Sequence, residues 1–198
     1  MTMFTPTWPI LTERLLLRPF EEGDLPSLYA MQSDEDVVRY LYHDVRTLDE
    51  VRAALARKLA AVGVQSEGDG LSVAAVLRDT GELVADVSLW MMSEAHAQGE
   101  LGFVVHPAHQ RRGYAAEASR PLLDFAFGAV RLHRVIGRTE ARNRGSVRVF
   151  EKLGMRREGL LIENEWVKGE WQSELVYAVL AAEWDSANAA AKTGDTSS

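Results

Sequence analysis

The chain has 198 residues, 46% of them hydrophobic, which suits one domain with a core of useful size and leaves no apolar run long enough to span a bilayer. It contains no cysteine, which excludes disulfides, thiolate metal sites and a Cys nucleophile. A net charge of −7 hides an uneven distribution: His106 to Arg157 carries 12 Lys/Arg against 4 Asp/Glu, and the remainder carries 10 against 25. An acidic body with one basic stretch repels a long polyanion, so nucleic-acid binding ranks well below a small anionic cofactor.

Met1 to Pro6 lacks the basic start and apolar stretch of a secretion signal, which leaves the cytoplasm as the default location. Ile10 to Arg18 reads as a strand ended by Pro19. Asp24-Leu25-Pro26 opens a helix that runs in two pieces to about Tyr42, with Pro26 in a first turn where no N–H is required. Thr47-Leu48-Asp49-Glu50 is a capping box, and Val51, Leu55 and Leu59 line one face of the helix it starts. Gln65 to Gly70 is a polar loop. Leu71 to Arg78 and Glu82 to Trp90 form a hairpin around Asp79-Thr80-Gly81.

Leu101-Gly102-Phe103-Val104-Val105 is a buried strand, followed by the turn His106-Pro107-Ala108-His109. Ala115 to Phe127 is a helix with Ala115, Ala118, Leu122 and Phe125 on one face, and Pro121 should bend it. Arg134 to Thr139 is a strand, Gly145 to Leu153 a short helix, and Gly154 its left-handed stop. Met155 to Ile162 and Trp171 to Leu180 close the sheet as a second hairpin. From Ser186 the composition turns to Ala, Gly, Ser and Thr, so residues 1–185 are predicted to form the domain and 186–198 a disordered tail. Antiparallel hairpins flanking one strand-helix-strand unit make an α+β sandwich rather than a doubly wound sheet.

Gln110-Arg111-Arg112-Gly113-Tyr114-Ala115 is the most informative segment. It joins a strand to a helix N-terminus, where backbone N–H groups lack internal partners and the helix dipole is positive. Gly113 allows close backbone approach and Ala115 is small, so a diphosphate is the natural guest. Neither the G-x-x-x-x-G-K-[ST] loop nor the G-x-G-x-x-G fingerprint is present. The run instead matches the Q/R-x-x-G-x-G/A loop of the GNAT superfamily, the acyl-CoA-dependent N-acyltransferases. Thr12-Glu13-Arg14-Leu15-Leu16-Leu17-Arg18-Pro19 resembles the first strand of the RimJ/RimL-type branch. Asn143-Arg144-Gly145-Ser146, followed by Phe150-Glu151-Lys152-Leu153-Gly154-Met155, resembles that branch's second CoA-contacting segment. The matches keep their order from about Ile10 to Trp184. The resemblance implies a GNAT-like mixed, largely antiparallel twisted sheet of about seven strands flanked by helices, with a central strand-loop-helix cofactor site. It further implies acetyl-CoA as acyl donor, no metal, and direct attack by a primary amine of a protein N-terminus or a small molecule.

Amine acylation by a thioester needs a base for the ammonium and donors for the developing oxyanion. Protonating the departing thiolate is the least demanding step. Glu100 is the leading base, because alternation puts it on the face of Gly102 and Val104 beside the cofactor strand. A solvated strand-end carboxylate is its plainer role, and Glu140, Glu158 and Glu163 are rivals. His106 and His109 adjoin the phosphate loop, which favours a turn or phosphate role. Asn143 stands where an N-cap stands, and Ser146 where a first-turn hydroxyl does. The resemblance instead implies that Asn143 hydrogen-bonds the pantetheine arm and that Ser146 lies near the thioester sulfur. Many members place a Tyr seven residues after this Asn as proton donor; here the residue is Phe150, so Ser146 is the substitute candidate, the alternative being a thiolate that leaves unaided.

By the same resemblance, Phe103, Val104 and Val105 offer backbone groups to pantetheine, while Gln110, Arg111, Arg112, Gly113, Tyr114 and Ala115 hold the diphosphate. Tyr40, Trp90 and Trp166, with Tyr42 and Trp171, are candidate aromatic walls for a cationic amine, and core packing is their competing role. A non-catalytic acyl-CoA sensor is the alternative function, favoured by Phe150. No membrane partner is expected, and a homodimer through the Trp171 to Leu180 strand is geometrically permitted.

Overall fold

A computed structural model describes residues 3–194. Alternating apolar residues in the first half of the chain build strands that pair in sequence order. They are β1 (Ile10–Leu11), β2 (Leu15–Pro19), β3 (Gly70–Leu77), β4 (Leu83–Ser93) and β5 (Gln98–Val105). The second half adds β6 (Arg134–Glu140), β7 (Arg156–Val167) and β8 (Glu170–Leu180). They form one eight-stranded sheet in the order β1-β2-β3-β4-β5-β6-β8-β7, antiparallel except between β5 and β6. The strand count exceeds the expected seven because the Ile10 to Arg18 run folds back on itself. Thr12 N–H donates to the Leu15 carbonyl at 2.9 Å, and Leu15 N–H donates to the Thr12 hydroxyl at 3.0 Å, which closes the turn between β1 and β2.

The period of two sorts side chains onto two faces. Leu16, Ala74, Val76 and Val104 face one way, against Leu28 and Met31 of α1 (Leu25–Gln32) and Val51 and Leu55 of α3 (Leu48–Ala60). The short α2 (Glu35–Val38) lies between those helices in the chain. Leu15, Leu17, Val73, Val87, Leu89 and Leu101 face the other way, into a larger core with α4 (Tyr114–Gly128) and α5 (Arg144–Lys152). The capping box on α3 forms as the sequence predicts, with Thr47 and Glu50 bonding each other's backbone.

A sixth helix, α6 (Ala181–Gly194), replaces most of the expected disordered tail. Its alanines carry high helix propensity, and Trp184 anchors it by packing on Phe127 and donating its indole N–H to Asp124 at 2.7 Å. Asn188 reaches the same carboxylate at 3.2 Å. Residues 195–198, also assigned to that tail, lie outside the described residues. The strand suggested for a homodimer needs correcting: β8 is paired on both sides, by β6 and β7, so it has no edge to offer a second copy.

Candidate active site

The central feature is a gap in the sheet. β5 and β6 pair only where Gln98–Glu100 meets Arg134–Ile136. Beyond that point β5 follows β4 as far as Val105, while β6 follows β8 as far as Glu140. Phe150 of α5 wedges the base of the gap. Its ring packs on Phe103 at 5.2 Å and stacks on Tyr177 at 5.4 Å, and it lies so close over β6 that a Cβ on Gly137 would sit 2.2 Å from it. Hydrogen bonding fixes which groups face the opening. The Ala97 carbonyl accepts from His133 and Arg134 beside β6, whereas His106 N–H donates to Val84 beside β4. Alternation then turns the backbone of Leu101, Phe103 and Val105 toward the gap and places that of Gly102 and Val104 in the β4 ladder. Val104 therefore does not offer its backbone to the gap as expected; its side chain packs toward α1 and α3 instead.

The basic loop continues from β5. A 3-10 turn, Pro107–His109, leads into Gln110, after which Arg111 and Gly113 both adopt left-handed φ, 62° and 84°. For Arg111 this conformation costs about 1–2 kcal/mol, a strain typical of backbones shaped around a ligand. Gly113 is the N-cap of α4 and no side chain caps it, so the first-turn N–H groups face the loop without intrahelical partners. Two cations flank this spot: a Cβ on Gly113 would lie 3.5 Å from Lys152 Nζ and 3.6 Å from Arg14 Nη2. Arg14 stacks over Tyr114 at 4.6 Å and donates to the Arg112 carbonyl at 3.0 Å. Glu117 ties this corner together, accepting from the Thr12 hydroxyl at 2.7 Å and from the Arg14 backbone at 2.8 Å. Burial opposes its ionisation, but the bonds from Thr12 and Arg14 prevail and hold its carboxyl below the usual range.

A cavity of about 440 Å³ threads the gap and joins the two faces of the sheet. On the α5 side its lining includes Phe103, Asn143, Ser146 and Phe150; on the α1 and α3 side it includes Tyr40, Trp90, Glu100 and Val104. Asn143 caps α5, its Oδ1 accepting from Ser146 N–H at 3.1 Å, which leaves its Nδ2 donor and the Ser146 hydroxyl to the cavity. Val105, Gln110, Arg111, Arg112, Tyr114 and Ala115 lie along or beyond the gap rather than in the cavity wall. Trp166 does not line the cavity: it is 60% exposed and packs edge-on against Trp171 at the far end of the β7–β8 hairpin.

Glu100 is not a lone carboxylate. Arg138 grips it with two bonds, Nε to Oε1 at 3.1 Å and Nη2 to Oε2 at 3.0 Å. Arg138 also lies 3.9 Å from Glu174 of β8, a fully buried acid that accepts from the Tyr42 hydroxyl. Burial, reinforced by Glu174, pushes the Tyr42 hydroxyl well above its ordinary pKa, so Tyr42 remains a donor. His43 also lines the cavity; burial lowers its pKa, and its Nδ1 lies 2.8 Å from the Asp44 carbonyl. A carbonyl only accepts, so Nδ1 carries the proton and the neutral ring keeps a lone pair on Nε2. Sequence reading missed Tyr42 as a hydrogen-bond donor, along with His43, Arg138 and Glu174: long-range strand pairing sets Arg138 and Glu174 near β5, and the loop between α2 and α3 brings Tyr42 and His43 to the same cavity. Among the described residues, no group of His, Cys, Asp or Glu is arranged to hold a metal ion.

A family model described as an acetyltransferase (GNAT) domain matches residues 14–156. The chain is 33% identical over 177 residues to YnaD of Bacillus subtilis (strain 168), named an uncharacterized N-acetyltransferase, covering 89% of this chain and 99% of that one. The crystal structure of a GNAT-family acetyltransferase from Bacillus anthracis superposes with a TM-score of 0.80 at 32% identity, covering 88% of this chain and 99% of that chain. The fold is shared at greater distance by the Vibrio cholerae spermidine N-acetyltransferase solved with CoA and spermine, with a TM-score of 0.73 at 21% identity over 87% of this chain and 99% of that chain. A gapped sheet, a basic loop at a helix N-terminus and a family match across both make this chain a member of the GNAT family and an acetyltransferase.

Proposed function

We propose that the protein transfers the acetyl group of acetyl-CoA to a primary amine by direct attack, in the manner of the RimJ/RimL-type branch. The observation that carries this reading is the cavity threading the β5–β6 gap, with an uncapped helix N-terminus and two flanking cations at the end of the same strand. These features fit a cosubstrate with a diphosphate at one end and an extended, amide-bearing arm at the other. The first-turn N–H groups of α4 with Arg111, Arg112, Arg14 and Lys152 would hold the diphosphate. The gap-facing backbone of Leu101, Phe103 and Val105, together with Asn143 Nδ2, would hydrogen-bond the arm.

Acetyl-CoA, when bound, supplies the activated acetyl group. Glu100 would accept a proton from the acceptor ammonium, directly or through water, and free the nitrogen to bond the carbonyl carbon. Arg138 would keep that carboxylate aimed at the gap. A gap-facing N–H of β5 would donate to the oxyanion that forms as the nitrogen bonds the carbonyl carbon. Its collapse would break the C–S bond, and the nitrogen's remaining extra proton would pass to the departing thiolate. The Ser146 hydroxyl would donate a hydrogen bond to the departing sulfur, standing in for the hydroxyl that Phe150 lacks. The absence of cysteine rules out a Cys acyl-enzyme.

The test is mass spectrometry of acetyl-CoA reactions with a mixed panel of peptides, amino acids, polyamines and aminoglycosides. Acetylated acceptor with no acetylated protein is the expected result. An acetylated protein intermediate, or acetyl-CoA that binds yet acetylates no amine, overturns it.

A further inference from the structure

The cavity is electrically lopsided. At the β5–β6 gap two carboxylates, Glu100 and Glu174, share one guanidinium, that of Arg138, so this end carries excess negative charge. Across the cavity, Lys58 is neutralised by Asp86 at 2.6 Å. Arg46 and Arg57 have no such direct carboxylate partner. Both line the cavity, and neither forms an ion pair among the described residues. Arg46 is held by a neutral group: its Nη1 donates to Gln32 Oε1 at 2.7 Å, and its backbone N–H donates to the Gln32 carbonyl at 3.0 Å. Gln32 is itself buried, so it fixes the guanidinium without cancelling its charge. The nearest acid, Glu50, is bound to Thr47 in the α3 capping box. Burial and the neighbouring Arg57 both disfavour the charge on Arg46, outweighing the favourable pull of Glu50. Two guanidiniums set against each other beside a cavity are relieved by an anion.

We infer that the acceptor is a small zwitterion, a primary amine that also bears a carboxylate or phosphate, with its anion between Arg46 and Arg57 and its ammonium toward Glu100. The inference rests on the acetyltransferase reading above and narrows its substrate class. The same polarity disfavours a polyamine, whose second cation would meet Arg46 and Arg57. Tyr40, Leu41 and Trp90 also line the cavity, and their apolar surface suits a short apolar linker.

The experiment is steady-state thiol release from acetyl-CoA with matched acceptors: amino acids against their carboxamides, phosphoethanolamine against ethanolamine, and spermidine. The acids or the phosphoamine should exceed their neutral partners in kcat/KM by about 10–100-fold, the worth of one or two charge-assisted hydrogen bonds. Which pair shows the larger gap distinguishes carboxylate from phosphate. Arg57→Glu, at an exposed position with no partner to lose, should erase the preference by raising KM, leave the acetyl-CoA Kd unchanged and improve spermidine. Arg46→Gln should raise KM for the anionic acceptor in the same way. Spermidine or the neutral amines matching the zwitterions in the wild type overturns the inference, as does a preference untouched by Arg57→Glu. So does acetyl-CoA binding without turnover of any anionic acceptor. In those cases the acetyltransferase reading stands if some other amine is acetylated, and failure to bind acetyl-CoA overturns both.

Discussion

Glu100 is a side chain whose candidate role depends on its neighbours. From the sequence it is an acid one residue ahead of an apolar strand, a position it shares with many solvated strand ends. In the fold it projects into the cavity beside the gap, with both oxygens held by Arg138. Glu100→Gln keeps the shape and one hydrogen-bond acceptor for Arg138 but removes the proton acceptor. It should lower kcat by about 100-fold or more, the usual worth of a positioned general base, while the acetyl-CoA Kd changes little. Single-turnover rates and calorimetry would check this, and full activity in the variant would remove Glu100 from the mechanism. Its catalytic candidacy was legible in strand alternation. Arg138 and Glu174 were not, because each lies in an ordinary strand pattern and gains meaning only when β6 and β8 are laid beside β5.

At the scale of elements, the basic-loop end of the gap depends on how the start of α4 is fastened to the β1–β2 turn. Glu117 accepts from Thr12 and from the backbone and guanidinium of Arg14, across more than a hundred residues of chain. Its pKa is depressed in the fold, so its contribution is fully present above the ordinary carboxylate pKa and is lost as pH falls through the lower folded value. Glu117→Gln should therefore cost about 1.5–3 kcal/mol at neutral pH, the range for hydrogen bonds to a charged group. The gap between the two proteins should close on acidification. Urea midpoints from pH 7 downward would show it, and a difference that stays constant with pH would refute the linkage. The basic loop and the strand and helix around it were readable as elements because their signal is local: an apolar run, Gly113 and an amphipathic helix. The turn splitting Ile10 to Arg18 was not, since its anchor Glu117 lies far along the chain. The α6 helix was hidden by composition, because an Ala-rich tail reads as disorder until Asp124 and Phe127 offer Trp184 a seat.

The whole molecule ends, on one side, in an unguarded edge. β7 is the last strand of the sheet, 12 residues long, paired only with β8. It exposes Leu160, Leu161 and Ile162, the last at 69%, and the exposed Trp166–Trp171 pair continues the apolar surface. An exposed apolar edge strand is normally blunted by charge, bulge or a covering element. Glu163, Glu165 and the register breaks after Arg157 and Leu161 guard its flanks, but the apolar stretch at 160–162 stays open. With β8 enclosed, the strand edge open to a second copy on this side of the sheet is β7, where two copies would bury the same residues about a two-fold axis. Ile162→Lys places a charge at the centre of that contact, remote from the cavity lining. Sedimentation velocity should find the wild type dimeric and the variant monomeric, with kcat/KM retained because Ile162 lies outside the cavity lining. A wild type that stays monomeric at high concentration would show that the edge is protected by its flanking charges alone, and an Ile162→Lys variant that remains dimeric would move the interface elsewhere.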